Sequence, residues 1–426
     1  MAREDKPVID VDDRYRPRII DKRIDDILST FGGMLIVGPK WCGKSWTGMR
    51  HSKSALLVGD EDSALLAALD PESALDGNPP RLVDEWQDVP KLWDVARRNI
   101  DLSGKRGLYI FTGSTIPPKD ATHHTGTGRF ATVRMHPMSL FESGDSSGVV
   151  SLSRLFDTGK VDVIRSNIEY KEAVRLICRG GWPAAIGMSD REAADVSRMY
   201  VKSVSDSNMS GIDGKKRNKK TMQLVLRSLA RNNATLVKPS VIAADMSEGG
   251  TVVSDGTVRD YINALKSIYM IEEQEAWAPS LRSRSRVRTS PKIHFSDPSL
   301  AVALLRAAPD ILMKEVRTAG FLFESLCYRD LCVYASALDG DVYHYRDNTG
   351  LEVDEIIELG DGRWGAVEVK LGTFEFDKAA DSLLSLKEKA GEAREPSFLM
   401  ILCASGGLAY TREDGVAVVP IDLLGP

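Results

Sequence analysis

Residues 38–45 read Gly38-Pro39-Lys40-Trp41-Cys42-Gly43-Lys44-Ser45, and the run before them is Met34-Leu35-Ile36-Val37. The apolar tetrad predicts a buried strand, and residues 46–50 predict the opening of a helix. A glycine-bearing loop set between strand and helix turns its backbone N–H groups inward, where they gather phosphate oxygens. Lys44 then reaches the β- and γ-phosphates, and the Ser45 hydroxyl ligates Mg²⁺. The eight residues together predict a nucleoside triphosphate site with ATP and Mg²⁺ as its ligands.

The sequence around the loop agrees with that reading. Short apolar runs at 34–37, 55–58, 81–83, 108–111 and 132–135 alternate with helical stretches, the pattern of a parallel sheet with crossover connections. Ligands in such sheets sit at the carboxyl ends of the strands. One of those ends is Leu82-Val83-Asp84-Glu85, where Asp84 can hold Mg²⁺ through water and Glu85 can polarise the water that attacks the γ-phosphate. The strand at 108–111 runs into Thr112-Gly113-Ser114-Thr115; Ser114 either reports on the γ-phosphate or belongs to a simple turn.

With 426 residues the chain exceeds one ordinary core, and its 42% hydrophobic and 27% charged content is that of a soluble globular protein. The net charge of -5 neither demands nor forbids a polyanionic partner, so local charge has to decide. The charged start lacks the apolar core of a signal peptide, and no run approaches a membrane span. The five cysteines are scattered and in no zinc-like spacing. Together these features predict a cytoplasmic protein with reduced thiols and no membrane association.

Basic residues concentrate in the middle of the chain. Lys215, Lys216, Arg217, Lys219, Lys220, Arg227 and Arg231 form one acid-free tract, and Arg282, Arg284, Arg286 and Arg288 form another. In an extended wing, alternation at period two sets those four arginines on one side, a row suited to the phosphates of a DNA backbone. Three helical stretches and a strand precede that row, which suggests a winged helix over 214–300. The third helix mixes Asp255, Arg259, Asp260, Asn263 and Lys266 on its exposed face, which argues against strong base readout.

The last segment holds a second constellation. A predicted helix presents Glu324, an alternating strand at 351–357 offers Asp354, and another at 365–370 sends Glu368 and Lys370 to the same side. This resembles the restriction-endonuclease-like superfamily, written PD-(D/E)XK, with Val353 standing where the motif's name has proline. The resemblance implies that Asp354 and Glu368 hold Mg²⁺ and that Lys370 orients or deprotonates the nucleophile. Glu324 completes the metal shell or fixes the lysine.

The strings GPKWCGKS, RLVDEWQ, FTGST, GRFATVRMHPMSLFE, GGWP and PKIHFSDPSLA resemble a prokaryotic family of AAA-type ATPases with a further carboxy-terminal domain. The resemblance implies an arginine that stabilises the transferring phosphoryl group, often across a subunit interface. Arg129 is its first candidate and Arg134 its second, with Arg179 a sensor in the lid; a homo-oligomer would follow. The expected fold is α/β and multidomain: an AAA-type P-loop NTPase parallel sheet (1–145), a helical lid (146–213), a winged-helix domain (214–300) and a restriction-endonuclease-like α/β domain (301–426). Two functions fit this outline. One is an ATP-dependent enzyme that binds and cleaves DNA, the other a nucleotide-switched regulatory ATPase whose last domain is architectural.

Overall fold

The protein is described here from a computed structural model covering residues 14–59, 61–115, 126–206, 215–280 and 289–426. The chain divides into two compact units. The first runs to His136 and the second from Pro137 to Pro426, apart from short stretches at 215–216 and 267–269 that group with the first.

The first unit is a five-stranded sheet of β1 (Gly33–Val37), β2 (Ser54–Leu57), β3 (Arg81–Asp84), β4 (Tyr109–Gly113) and β5 (Phe130–Arg134). The order is β2-β3-β4-β1-β5 and every pairing is parallel. Successive side chains of a strand face opposite ways, so a sheet covered on both faces needs apolar residues at every position. Met34 and Ile36 join Ile24, Ile27, Leu82 and Ile110 on one face. On the other, Leu35 packs among Val83, Trp93 and Phe111. There Trp93 stacks on both Trp86 and Phe130, with ring centroids 4.9 and 4.1 Å apart.

The helix Asp21–Thr30 is clamped to the end of the helix that follows the phosphate loop, Lys44–Arg50. His51 caps that second helix and sits 3.1 Å from Asp21 and 2.9 Å from Asp25. Burial alone would depress the imidazole, but hydrogen bonding and charge from Asp21, with charge from Asp25, hold its pKa above the ordinary 6.5. A group whose folded pKa is raised contributes stability that is complete below its unfolded pKa and is lost as pH rises through the folded value. Thermal melts at pH 5.5 and 8.5 should therefore show the first unit losing stability at the higher pH. His51→Gln should remove that slope, at a cost of about 1 kcal/mol at the lower pH. Equal slopes in both proteins would exclude the ion pair as the cause.

The second unit is built on a seven-stranded sheet. Its strands are β7 (Ile164–Arg165), β10 (Gly340–Arg346), β11 (Glu352–Leu359), β12 (Trp364–Lys370), β13 (Phe398–Cys403), β14 (Leu408–Thr411) and β15 (Ala417–Pro420), in the order β10-β11-β12-β13-β15-β14-β7. β10, β11 and β12 are antiparallel neighbours, and β12, β13 and β15 run parallel. The helix Phe376–Ala390 covers the face that carries Val353, Ala366 and Ile401. A helix of 21 residues, Val316–Ser336, also packs against β10, β11 and β12.

Two short strands alter the expected domain plan. β7 is an edge strand of this sheet, paired with β14, and β6 (Val150–Ser151) pairs with β16 (Leu424–Gly425). β7 therefore belongs to the carboxy-terminal sheet and β6 to a separate two-stranded one, so the described part of the segment 146–213 is not purely helical. Its helices Tyr170–Arg179 and Asp190–Asp206 pack on the helix Pro298–Leu305 of the same unit.

The middle segment has three helices, Lys219–Arg231, Pro239–Glu248 and Asp255–Ser267, followed by an antiparallel pair, β8 (Ile271–Gln274) and β9 (Lys292–Phe295). Beyond β8, Trp277 N–H donates to the His344 carbonyl at 2.7 Å and His344 N–H to that of Glu275 at 3.0 Å, which docks the pair on the edge strand β10. Arg282, Arg284, Arg286 and Arg288 lie outside the described residues. None of the five cysteines is in a disulfide. Among the described residues no helix is long and apolar enough to cross a membrane.

Candidate functional site

The phosphate loop leaves β1 with three residues in conformations that bend the chain back on itself: Gly38 at φ 154°, Trp41 at φ 66° and Gly43 at φ 106°. A β-carbon on Gly38 would stand 2.2 Å from the Met135 carbonyl oxygen, so only glycine fits against the end of β5. Arg18, buried, braces the loop from behind by donating to the carbonyls of Cys42 and His136, each at 2.8 Å. Cys42 is fully buried beneath the loop, and Trp41 is half exposed above it. The Lys44 ammonium, 4% exposed, donates to the Pro39 carbonyl at 2.8 Å, inside the curve of the loop.

Sheet order brings the acids to this loop. β4 lies between β1 and β3, so Thr112 and Ser114 stand between the loop and Asp84-Glu85. Asp84 accepts hydrogen bonds from the hydroxyls of Thr112 and Ser45. Burial, and next to it the Glu85 charge, lift its pKa despite those bonds and the nearby Lys44. Ser45 and Asp84 are thus already in contact, and their hard oxygens suit Mg²⁺, which keeps most of its waters and takes few protein ligands. Glu85 adopts the left-handed conformation at φ 55°, uncommon for a residue with a β-carbon and often found where a side chain is held for function. Its carboxylate accepts from the Gln87 amide and, at 3.0 Å, from the Ser114 hydroxyl. Ser114, 1% exposed, spends its hydroxyl proton on that bond to Glu85.

The three arginines stand in different places. Arg129 precedes β5 and its carbonyl accepts from Gly33 N–H, which puts it at the amino end of β1, while the loop leaves the carboxyl end. Five residues at about 3.3 Å each separate the two ends. Arg129 pairs there with Asp101 at 2.7 Å. Arg134, opposite Val37 in the register, stands at the carboxyl end. Arg179 belongs to the second unit, where it is 5% exposed and bonded to Asp145, Ser143 and its neighbour Gly180.

The second unit gathers Glu324, Asp354, Glu368 and Lys370. A register shift makes this possible: Tyr343 faces Ile356 and Tyr345 faces Val353, so His344 alone stands opposite both Asp354 and Glu355. The bulge interrupts the simple alternation expected of residues 351–357 and re-aims Asp354. Val369 N–H donates to Asp354 at 2.9 Å, and the Lys370 ammonium lies 3.3 Å from Asp354 and 2.5 Å from Glu368. Glu324 meets a different lysine, Lys292 of β9, at 2.7 Å; no motif had singled Lys292 out.

Burial dominates the electrostatics here. It raises Glu324 to about 7 against the pull of Lys292. Glu368 is pushed well above the usual carboxylate range by burial and then by the Asp354 charge. Burial acts on Asp354 too, yet Lys370, Lys292 and the Val369 N–H outweigh it and hold that carboxyl below its ordinary value. The charges of Asp354 and Glu368 lift Lys370 over its own desolvation, which favours its ammonium form. Among the described residues no three His, Cys, Asp or Glu side chains converge as a ready metal site. Asp354 and Glu368 remain a carboxylate pair, sufficient for an ion that prefers one or two acids and water.

Comparison with known proteins separates the two units. Residues 31–143 match a family model described as an AAA domain. Residues 170–310 and 319–424 match two models described as domains of unknown function, DUF8612 and DUF4143. Among solved structures, the Walker-type ATPase PABY2304 of Pyrococcus abyssi is 14% identical, with 69% of this chain and 97% of that one covered and a TM-score of 0.44. AMPPCP-bound DnaA from Aquifex aeolicus is 13% identical, with 58% and 86% covered and a TM-score of 0.25. No curated protein matches the chain. The match to the AAA domain spans the parallel sheet, the phosphate loop and the acids beside it, so the first unit has an α/β P-loop fold and is similar to AAA domains.

Proposed function

We propose that the chain hydrolyses ATP in its first unit and that its second unit binds DNA and cuts a phosphodiester bond with Mg²⁺. The observation that carries the second half is the convergence of Asp354, Glu368 and Lys370 at one bulged strand pair. Asp354 and Glu368 would hold Mg²⁺, which supplies positive charge at the scissile phosphate and acidifies a bound water. Lys370 keeps its proton and places a fixed positive charge beside both carboxylates, where it can stabilise the charge that grows on the phosphate oxygens. The basic tract at 215–231 and the arginine row at 282–288 are the proposed DNA contacts, on a segment that reads as a winged helix. Assembly into a homo-oligomer would bring an arginine to a neighbour's ATP, with Arg129 the first candidate and Arg134 the second.

The test is Mg²⁺-dependent nicking of linear, flapped and branched duplexes by the full chain, with and without ATP. Lys370→Ala should lower cleavage by about 10²- to 10³-fold, the usual loss for one charge-stabilising group. Cleavage unchanged by that substitution would refute the assignment. A second reading has its own observation: Glu324 is already saturated by Lys292, as in a site kept for architecture. It predicts ATP-dependent assembly on DNA with no cleavage under any metal.

A further inference from the structure

Lys292 is a lysine in an unusual place. Its side chain is 3% exposed, and its ammonium stands 2.7 Å from Glu324, 3.4 Å from Glu352 and 3.7 Å from Asp354. Lys370 approaches the other oxygen of Asp354 at 3.3 Å, so that carboxylate lies between two ammonium groups. Two residues along β9, His294 Nδ1 meets the Ser325 hydroxyl at 2.7 Å, beside Glu324 on the same helix. The strand is pinned to the helix at two successive inward positions, which fixes where the ammonium sits. A buried ammonium is costly unless it neutralises charge that is buried with it.

We propose that Lys292 is a resident cation of this acid cluster: it fills the position a second divalent ion would otherwise take, so the site binds a single Mg²⁺, between Asp354 and Glu368. The inference rests on the reading of those two carboxylates as a metal site. Charge balance supports it. When ionised, Glu324, Glu352, Asp354, Glu355 and Glu368 bring five negative charges, Lys292, Lys370 and Arg346 return three, and one divalent ion cancels the remainder. Sites that clamp a phosphoryl group between two metal ions use the pair to hold both the attacking and the leaving oxygen. An ammonium supplies charge but cannot acidify a water, so here a single ion must activate the nucleophile while lysines support the phosphate.

The experiment counts bound Mn²⁺ on the full chain, without nucleotide, from the electron paramagnetic resonance of the free ion. Ions lost in Glu368→Gln belong to the site. One such ion is expected in the native chain. Lys292→Met should admit a second, or hold the first at least about tenfold more tightly. Lys292→Arg, which keeps the charge, should match the native protein, an outcome that a purely structural role for the side chain would not produce. Two Glu368-dependent ions in the native chain would overturn the proposal, as would Lys292→Met binding like wild type. The native stoichiometry decides the matter even if Lys292→Met does not fold. Should Glu368→Gln lose no ion, the metal site itself fails and the role of Lys292 fails with it, before any variant of Lys292 is compared.

Discussion

Replacing Glu85 by glutamine should lower ATP turnover by about 10²- to 10⁴-fold while leaving ATP binding nearly unchanged. Glutamine keeps the shape of the side chain and can still accept the Ser114 hydroxyl bond, so the substitution removes the carboxylate and little else. The loop that would cradle the phosphates, and the Ser45–Asp84 pair, are untouched. Phosphate release measures the turnover, and a fluorescent nucleotide titration measures the binding. Ser114→Ala should cost less than Glu85→Gln, because it loosens the carboxylate without removing it. Lys44→Ala should differ from both by losing nucleotide affinity as well. Turnover within tenfold of wild type in Glu85→Gln would transfer the role of base to Asp84, whose raised pKa makes it the alternative proton acceptor.

How much of this could be read from the chain depends on the distance over which each feature is encoded. The phosphate loop is contiguous, and its strand and helix flank it directly, so the order of residue types was enough to expect a parallel sheet with the loop at its carboxyl edge. The acids at 84–85 follow from an equally local signal, an apolar strand that ends abruptly in charge. Arg129 shows where local reading stops. Glycines around an arginine mark a turn, but only strand register says which end of the sheet the turn occupies, and here it is the end opposite the loop.

The bulge at Asp354-Glu355 is a relation between two strands, and its one trace in the sequence is that the alternation of residues 351–357 breaks at these two adjacent acids. Lys292 is separated from its three carboxylate partners by tens of residues, so no spacing rule connects them. One signal was available. In Lys292-Ile293-His294-Phe295 polar residues alternate with apolar ones in a strand that turns out to be buried at every position. A strand with two buried faces and ionisable groups along one of them has to find partners for those groups. β7 is too short, at two residues, to show any period at all.

Arg329→Met should be the most damaging single change to the stability of the second unit, at about 3–5 kcal/mol. The guanidinium is 2% exposed and holds two aspartates that are fully buried: Asp297 at 2.9 Å and Asp330 at 2.7 Å. Each aspartate also fixes a loop. Asp297 accepts from Gly181 N–H at 2.8 Å, and Asp330 from Leu140 N–H at 2.9 Å. Methionine fills similar volume but strands two carboxylates without a counter-ion, and a loss of that size is a large share of a domain's usual 5–15 kcal/mol. Burial already raises Asp330 against the opposing pull of Arg329, so removing the arginine raises it further. A carboxyl with a raised folded pKa contributes stability below its unfolded pKa and loses it as pH climbs through the folded value. The defect should therefore be worst at neutral pH and partly relieved near pH 4–5, relative to wild type. Adding Asp330→Asn should recover part of it at pH 7, since the amide needs no counter-ion. Urea titration gives the size of the loss, and hydrogen exchange at Leu140 and Gly181 tests the mechanism, because those amides should lose protection first. Rapid exchange that begins elsewhere, or a loss under about 1 kcal/mol, would mean that water reaches the two aspartates and that the network is not what joins residues 140, 181 and 297 to the long helix.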